Sequence, residues 1–159
     1  MASRGVLLTV ACALGLLGSL AALAWGVLVL ADGRELLRPV IAEFIDVQLD
    51  GTGVLNPEDF LNDAYTLFFG RATLWLGLGC FALVATVLVW LWQGWARIGL
   101  AVFAVAAIVL ALRDLADLGP GLLKTLGVLS AAALLAALVL QWLPATNAQY
   151  RTKRESRSR

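Results

Sequence analysis

The chain has 159 residues, 61% of them hydrophobic and 14% charged, with a formal net charge of +1 and a mean hydropathy of +0.87. A soluble domain carries about 25% charged residues, so this composition excludes an ordinary water-soluble globule and implies a small membrane protein of one domain. Histidine is absent and Cys12 and Cys80 stand far apart in apolar runs, which removes histidine acid–base chemistry, the usual zinc spacings and a CxxC redox pair.

The first apolar run, about residues 6–31, holds no charge and lies between Arg4 and Asp32-Gly33-Arg34. It is long enough to cross a bilayer with some tilt. Ala22-Leu23-Ala24 has the look of a signal-peptide cleavage site, but the run continues through Trp25 to Leu30. That exceeds the apolar length of such a peptide, so an uncleaved span is expected. Ala11, Gly15 and Ser19 form one ridge at four-residue spacing, and Gly18, Ala22 and Gly26 another. Ridges of this kind serve close packing inside a bundle or pairing with a second copy, unless they simply reflect the abundance of alanine and glycine.

Residues 32–71 are too many for a plain connector and predict an outer segment with its own structure. Glu35 to Gln48 reads as an amphipathic helix with Leu37, Ile41, Phe44 and Ile45 on one face. Pro39 is expected near its start, where proline is tolerated. Asp50-Gly51-Thr52-Gly53 is a turn, and Asn56-Pro57-Glu58-Asp59 opens a second helix with a cap, a first-position proline and acids in the first turn. That helix carries Phe60, Leu61, Tyr65 and Phe68 toward Gly70 and merges into the next span, making a helical hairpin that lies on the membrane face or caps the bundle. Helix, glycine turn and helix invite comparison with a calcium loop, whose candidate ligands are Asp50, Thr52, Asn56 and Asp59. The first ligand position is Gln48 and the bidentate glutamate is replaced by Asp59, so too few carboxylates remain for a calcium cage, and a capped turn is the preferred reading.

Three more spans follow at about 72–92, 95–113 and 121–143, the last opened by Gly119-Pro120-Gly121 and closed before Pro144. Gly127 with Ala131, and Ala133 with Ala137, repeat the small-residue spacing. No ionisable residue falls in the interior of the first three spans, so no buried carboxylate is expected to couple ions. Arg71, Arg113, Asp114, Asp117 and Lys124 gather instead at the outer rim, with Arg113 and Asp117 spaced to pair on one helical face. Interfacial anchoring is the expected role of this cluster, ahead of a functional charge site.

Residues 151–159 form a basic tail with five cations, while ten of the eleven acids lie between Asp32 and Asp117. The positive-inside rule therefore places both termini in the cytoplasm and residues 32–71 outside. Trp90, Trp92, Trp95 and Trp142 then mark the inner interface and Trp25 and Trp75 the outer one.

Two stretches carry a family likeness: Gly94-Trp95-Ala96-Arg97-Ile98, and Leu143-Pro144-Ala145-Thr146-Asn147-Ala148 running into Gln149-Tyr150. They resemble the W-A-R-I loop and the L-P-A-x-N-A end of the last span in small four-helix membrane proteins of high-GC Gram-positive bacteria. Those proteins end the motif in Tyr-Phe and lack the long outer segment. The resemblance covers about the second half of the chain and implies topology, with no activity, cofactor or site residue to carry over.

The expected fold is all-α: a polytopic membrane protein with four transmembrane helices, an extracytoplasmic helical hairpin between the first and second, and a single domain over residues 1–150. The expected function is a non-catalytic accessory or scaffold subunit of a membrane or cell-envelope complex, working without cofactors. Its expected partners are lipids and other membrane subunits or a second copy, and not nucleic acid. A small oligomeric transporter or channel is the alternative, and a lipid-modifying enzyme using Asp114, Asp117 and Arg71 is a third possibility.

Overall fold

The computed structural model describes residues 2–48, 57–91, 93–117, 119–144 and 146. They form four helices: α1 (Ala2–Gln48), α2 (Pro57–Trp90), α3 (Ala96–Ala116) and α4 (Gly121–Trp142). Each is long and apolar enough to cross a membrane. The fold is the all-α, four-span polytopic architecture read from the hydropathy.

Neighbouring helices pack in a closed ring, α1 on α2 and α4, and α3 on α2 and α4, with no close backbone approach across either diagonal. Short connections reverse the chain each time, giving an up-down-up-down bundle. The outward faces stay apolar: Ile98, Val102, Val105 and Val109 are all exposed along α3. An uncovered aliphatic stripe of this kind needs lipid as its solvent. The inward stripe of α3 is Leu100, Ala104, Ala107 and Ala111, and its small side chains let neighbouring backbones approach.

The lengths are unequal, and that shapes the molecule. α3 and α4 have 21 and 22 residues, about 32 Å at a rise of 1.5 Å per residue, which matches one hydrocarbon core. α1 has 47 residues and α2 has 34, about 70 and 51 Å on the same rise. Their excess projects from one end of the bundle as an antiparallel hairpin. The two expected outer helices prolong α1, past a bend, and α2, without a break. A bend separates shaft from hairpin on α1, where Asp32 leaves helical geometry at φ −129°, ψ 18°. Asp32-Gly33 is a pair of weak helix formers, and a Cβ at Gly33 would sit 3.0 Å from the Tyr65 ring, so glycine permits the crossing there. Pro39 sits exposed seven residues past the Asp32 bend, beyond the first turn where it is expected, and removes one backbone hydrogen bond on the solvent side.

Both small-residue ridges of α1 face inward. Ala11, Gly15, Ser19, Gly18, Ala22 and Gly26 are all buried. A Cβ at Gly15 would meet Thr86 Oγ1 at 2.7 Å, and one at Gly26 would meet the Ala72 carbonyl at 2.9 Å, both on α2. At Gly18 it would meet the Ser130 carbonyl of α4 at 3.0 Å, and Ser130 Oγ donates to the Gly18 carbonyl across the same contact at 2.8 Å. Ala131, Ala133 and Ala137 are buried on α4. Cys12 is buried, whereas Cys80 is exposed on the outer face of α2 and does not join the core.

Candidate functional site

Two features meet where the hairpin leaves the bundle: a buried charge cluster and an open apolar groove above it.

The cluster is built by helix ends. Arg71 lies on α2 one turn from Trp75, and α3 ends at Ala116, so its last turn and the extended Asp117 (φ −89°, ψ 157°) face α2. Arg71 Nη1 donates to Asp114 Oδ1 at 3.4 Å, Arg71 Nη2 donates to Asp117 Oδ2, and Trp75 Nε1 donates to Asp114 Oδ2 at 2.9 Å. The Arg71 and Asp114 side chains are 11% and 6% exposed, against 42% for Asp117. A guanidinium buried this deeply in apolar surroundings requires a partner, and two carboxylates from α3 supply it. Gly127 of α4 completes the pocket, for its Cβ would lie 3.5 Å from Trp75 Cζ2 and 3.7 Å from Asp114 Oδ2. One cluster thus ties α2 to α3 and sets Trp75 against α4 across the bundle.

Aromatic packing surrounds it. Trp25 stacks on Phe68 with centroids 6.2 Å apart and meets Trp75 at 5.8 Å. The Arg71 guanidinium lies 5.4 Å from the Phe68 ring centroid, within cation–π range. Trp25 and Trp75 are fully buried, so they are core residues and not the interfacial anchors expected. At the opposite end the belt reading agrees with the exposure of Trp90, Trp95 and Trp142. Trp92 lies outside the described residues.

Of the five rim charges, three come together. Arg113 and Asp117 have the helical spacing of a pair, but Asp117 has already left the helix and turns to Arg71, while Arg113 is exposed. Lys124 stands half-buried in the first turn of α4 beside Leu115 and Val128. Asp114 lies in the last turn of α3, one residue past the expected end of the third span, and it is buried, which corrects the expectation that no carboxylate is buried there. Of the calcium candidates, Asp50, Thr52 and Asn56 lie outside the described residues, and Asp59 is exposed on the first turn of α2.

Above the cluster, a groove of about 200 Å³ runs between the two hairpin helices, walled by Leu37, Ile41 and Phe44 on one side and Phe60 and Ala64 on the other. Arg71 and Asp117 lie at its foot. Phe44 and Phe60 stack at its far end with centroids 6.0 Å apart. The hairpin is held outside the groove by Arg34, which donates to Asn62 Oδ1 at 3.1 Å and covers the Tyr65 ring, and by Arg38 between Glu35 and Glu58. The groove face of α1 is readable from the spacing of Leu37, Ile41 and Phe44. Sequence reasoning misses Trp75 at this site, although Phe68, Arg71 and Trp75 follow a three-then-four spacing that puts them on one helical face.

Comparison with protein families, curated proteins and solved structures finds no match to the chain.

Proposed function

We propose that this chain is a non-catalytic accessory or scaffold subunit of a larger membrane or cell-envelope complex. In this reading both termini are cytoplasmic and the hairpin stands on the extracytoplasmic side. The observation that carries it is the hairpin, which prolongs α1 and α2 beyond the ends of α3 and α4 and leaves an apolar groove of about 200 Å³ along its flank. An arm with an apolar groove along its flank offers docking surface beyond the bundle. The sidedness is supported by the five cations of the last nine residues.

The transporter alternative meets a filled interior, because Trp25, Trp75, Leu100 and Leu134 are fully buried inside the single bundle. A path would have to run between copies. The lipid-modifying reading has one observation in its favour, two carboxylates and a guanidinium at the foot of an apolar groove. Both Asp114 oxygens are already engaged by Arg71 and Trp75, which leaves Asp117 to act alone.

Purification in mild detergent with quantitative mass spectrometry tests the proposal. A second membrane protein at fixed stoichiometry is the expected result. A pure homo-oligomer that conducts ions in liposomes would contradict it and favour the transporter.

A further inference from the structure

We infer that the groove between the hairpin helices receives one amphipathic helix of a partner protein, with an apolar face and a basic polar face. This deepens the accessory-subunit reading and rests on it.

Continuity with the core is the first argument. Leu37, Ile41, Leu61 and Phe68 belong to the same apolar cluster as Trp25, Trp75, Ala104 and Leu134. Below the α3–α4 turn, α3 and α4 cover that seam. Above it no described helix does, because α3 ends at Ala116 and α4 begins at Gly121 while α1 and α2 continue. Leu37, Ile41, Leu61 and Phe68 are themselves buried between α1 and α2; the groove is the flank of that seam, lined by half-buried Val40, Phe44, Phe60 and Ala64 and exposed Leu67, with no second pair of helices over it.

Length is the second argument. Along α2 the groove runs from Phe60 to Arg71, about 17 Å at 1.5 Å per residue, or three helical turns. That accommodates the i, i+3 or i+4, and i+7 anchors by which amphipathic helices occupy grooves.

Charge selects the partner. Between Asp32 and Gly70 the chain has two cations, Arg34 and Arg38, against eight carboxylates. At the foot of the groove one guanidinium faces two carboxylates, and Asp117 keeps part of its side chain exposed. Asp63 is exposed on α2, three residues after Phe60 and four before Leu67, a spacing that sets it beside both on the helix surface. A second copy would bring the same acidic hairpin and be repelled; a lysine- or arginine-rich helix would be attracted and held in register.

The test uses the full chain in phosphatidylcholine nanodiscs and two labelled synthetic helices of about 18 residues. Both carry leucine on one face; the polar face of one is lysine and of the other glutamate. Fluorescence anisotropy should report saturable binding of the lysine helix above that to empty discs, and none of the glutamate helix. Ala64→Trp, which fills the groove from an incompletely buried position, and Asp63→Lys, which reverses a rim charge, should each weaken binding about tenfold. Circular dichroism and elution volume matching wild type would establish that both variants are folded. Equal binding of the two helices, or of the lysine helix to wild type and Ala64→Trp, overturns the inference. So does a groove found closed by a second copy or by a co-purified lipid that excludes the peptide. These outcomes are separable from the wider proposal: subunits that co-purify equally with Ala64→Trp would leave the accessory role standing and remove the groove from it.

Discussion

At the residue scale, the buried cluster sets the sharpest expectations. Asp114→Ala leaves Arg71 paired with Asp117 but takes the acceptor from the buried Trp75 Nε1, so it should destabilise the bundle by about 1–3 kcal/mol. Asp117→Ala, at a side chain 42% exposed, should cost at most about 1 kcal/mol. Replacing both partners, as in Arg71→Met with Asp114→Leu, should recover part of the loss, because apolar pairs of similar volume often replace buried ion pairs without penalty, while Trp75 Nε1 stays without its acceptor. Unfolding in a graded mixture of mild and denaturing detergent reads all three. A double variant no more stable than Asp114→Ala would show that the cluster is not a pair in this sense. Glycines give a second, independent comparison. Gly18→Ala drives a methyl against the Ser130 carbonyl and the Leu134 backbone nitrogen and should lower stability by about 1–3 kcal/mol. At Gly77 an added methyl would have no neighbour within 4 Å, so alanine there should bring no loss, or a gain of about 0.5–1 kcal/mol from helix propensity.

At the element scale, the hairpin is held differently from the shaft. Its ion pairs, Arg38 with Glu35 and Glu58, are long and exposed, so Arg38→Ala should change stability by less than about 1 kcal/mol. The Phe44–Phe60 stack matters more. Phe60→Ala removes both ring contact and buried area, and it should raise amide hydrogen exchange over 36–44 and 58–66 while leaving α3 and α4 protected. Loss of protection across all four helices would mean that hairpin and shaft unfold as one unit. How far each element was legible follows from the same physics. The spans announced themselves because an unbroken apolar run has few alternatives in water or lipid. The hairpin helices announced themselves through the spacing of Leu37, Ile41 and Phe44 and the Asn56-Pro57 start. The merging of the second with its span was legible too; that of the first was not, since Asp32-Gly33 reads as a stop and becomes a bend. Arg71 with Asp114 also escaped, because the spacing that links them is across two helices and a one-dimensional pattern offers the nearer pair, Arg113 and Asp117. Trp25 and Trp75 misled for a related reason: tryptophan near the end of a span suits either an interface or a core, and only packing decides between them.

At the scale of the whole molecule, everything depends on four helices threading a bilayer so that the hairpin and the α2–α3 turn lie on opposite faces. Impermeant maleimide labelling of intact cells tests this most directly, with single cysteines placed at Asp59 in the hairpin and at Gly94 in the turn, after replacement of Cys12 and Cys80. Both sites are exposed, and Gly94 has open space around a methyl, so neither substitution disturbs packing. Asp59→Cys should label in intact cells and Gly94→Cys only after permeabilisation. Labelling of both in intact cells, or of both only after permeabilisation, would contradict the threading.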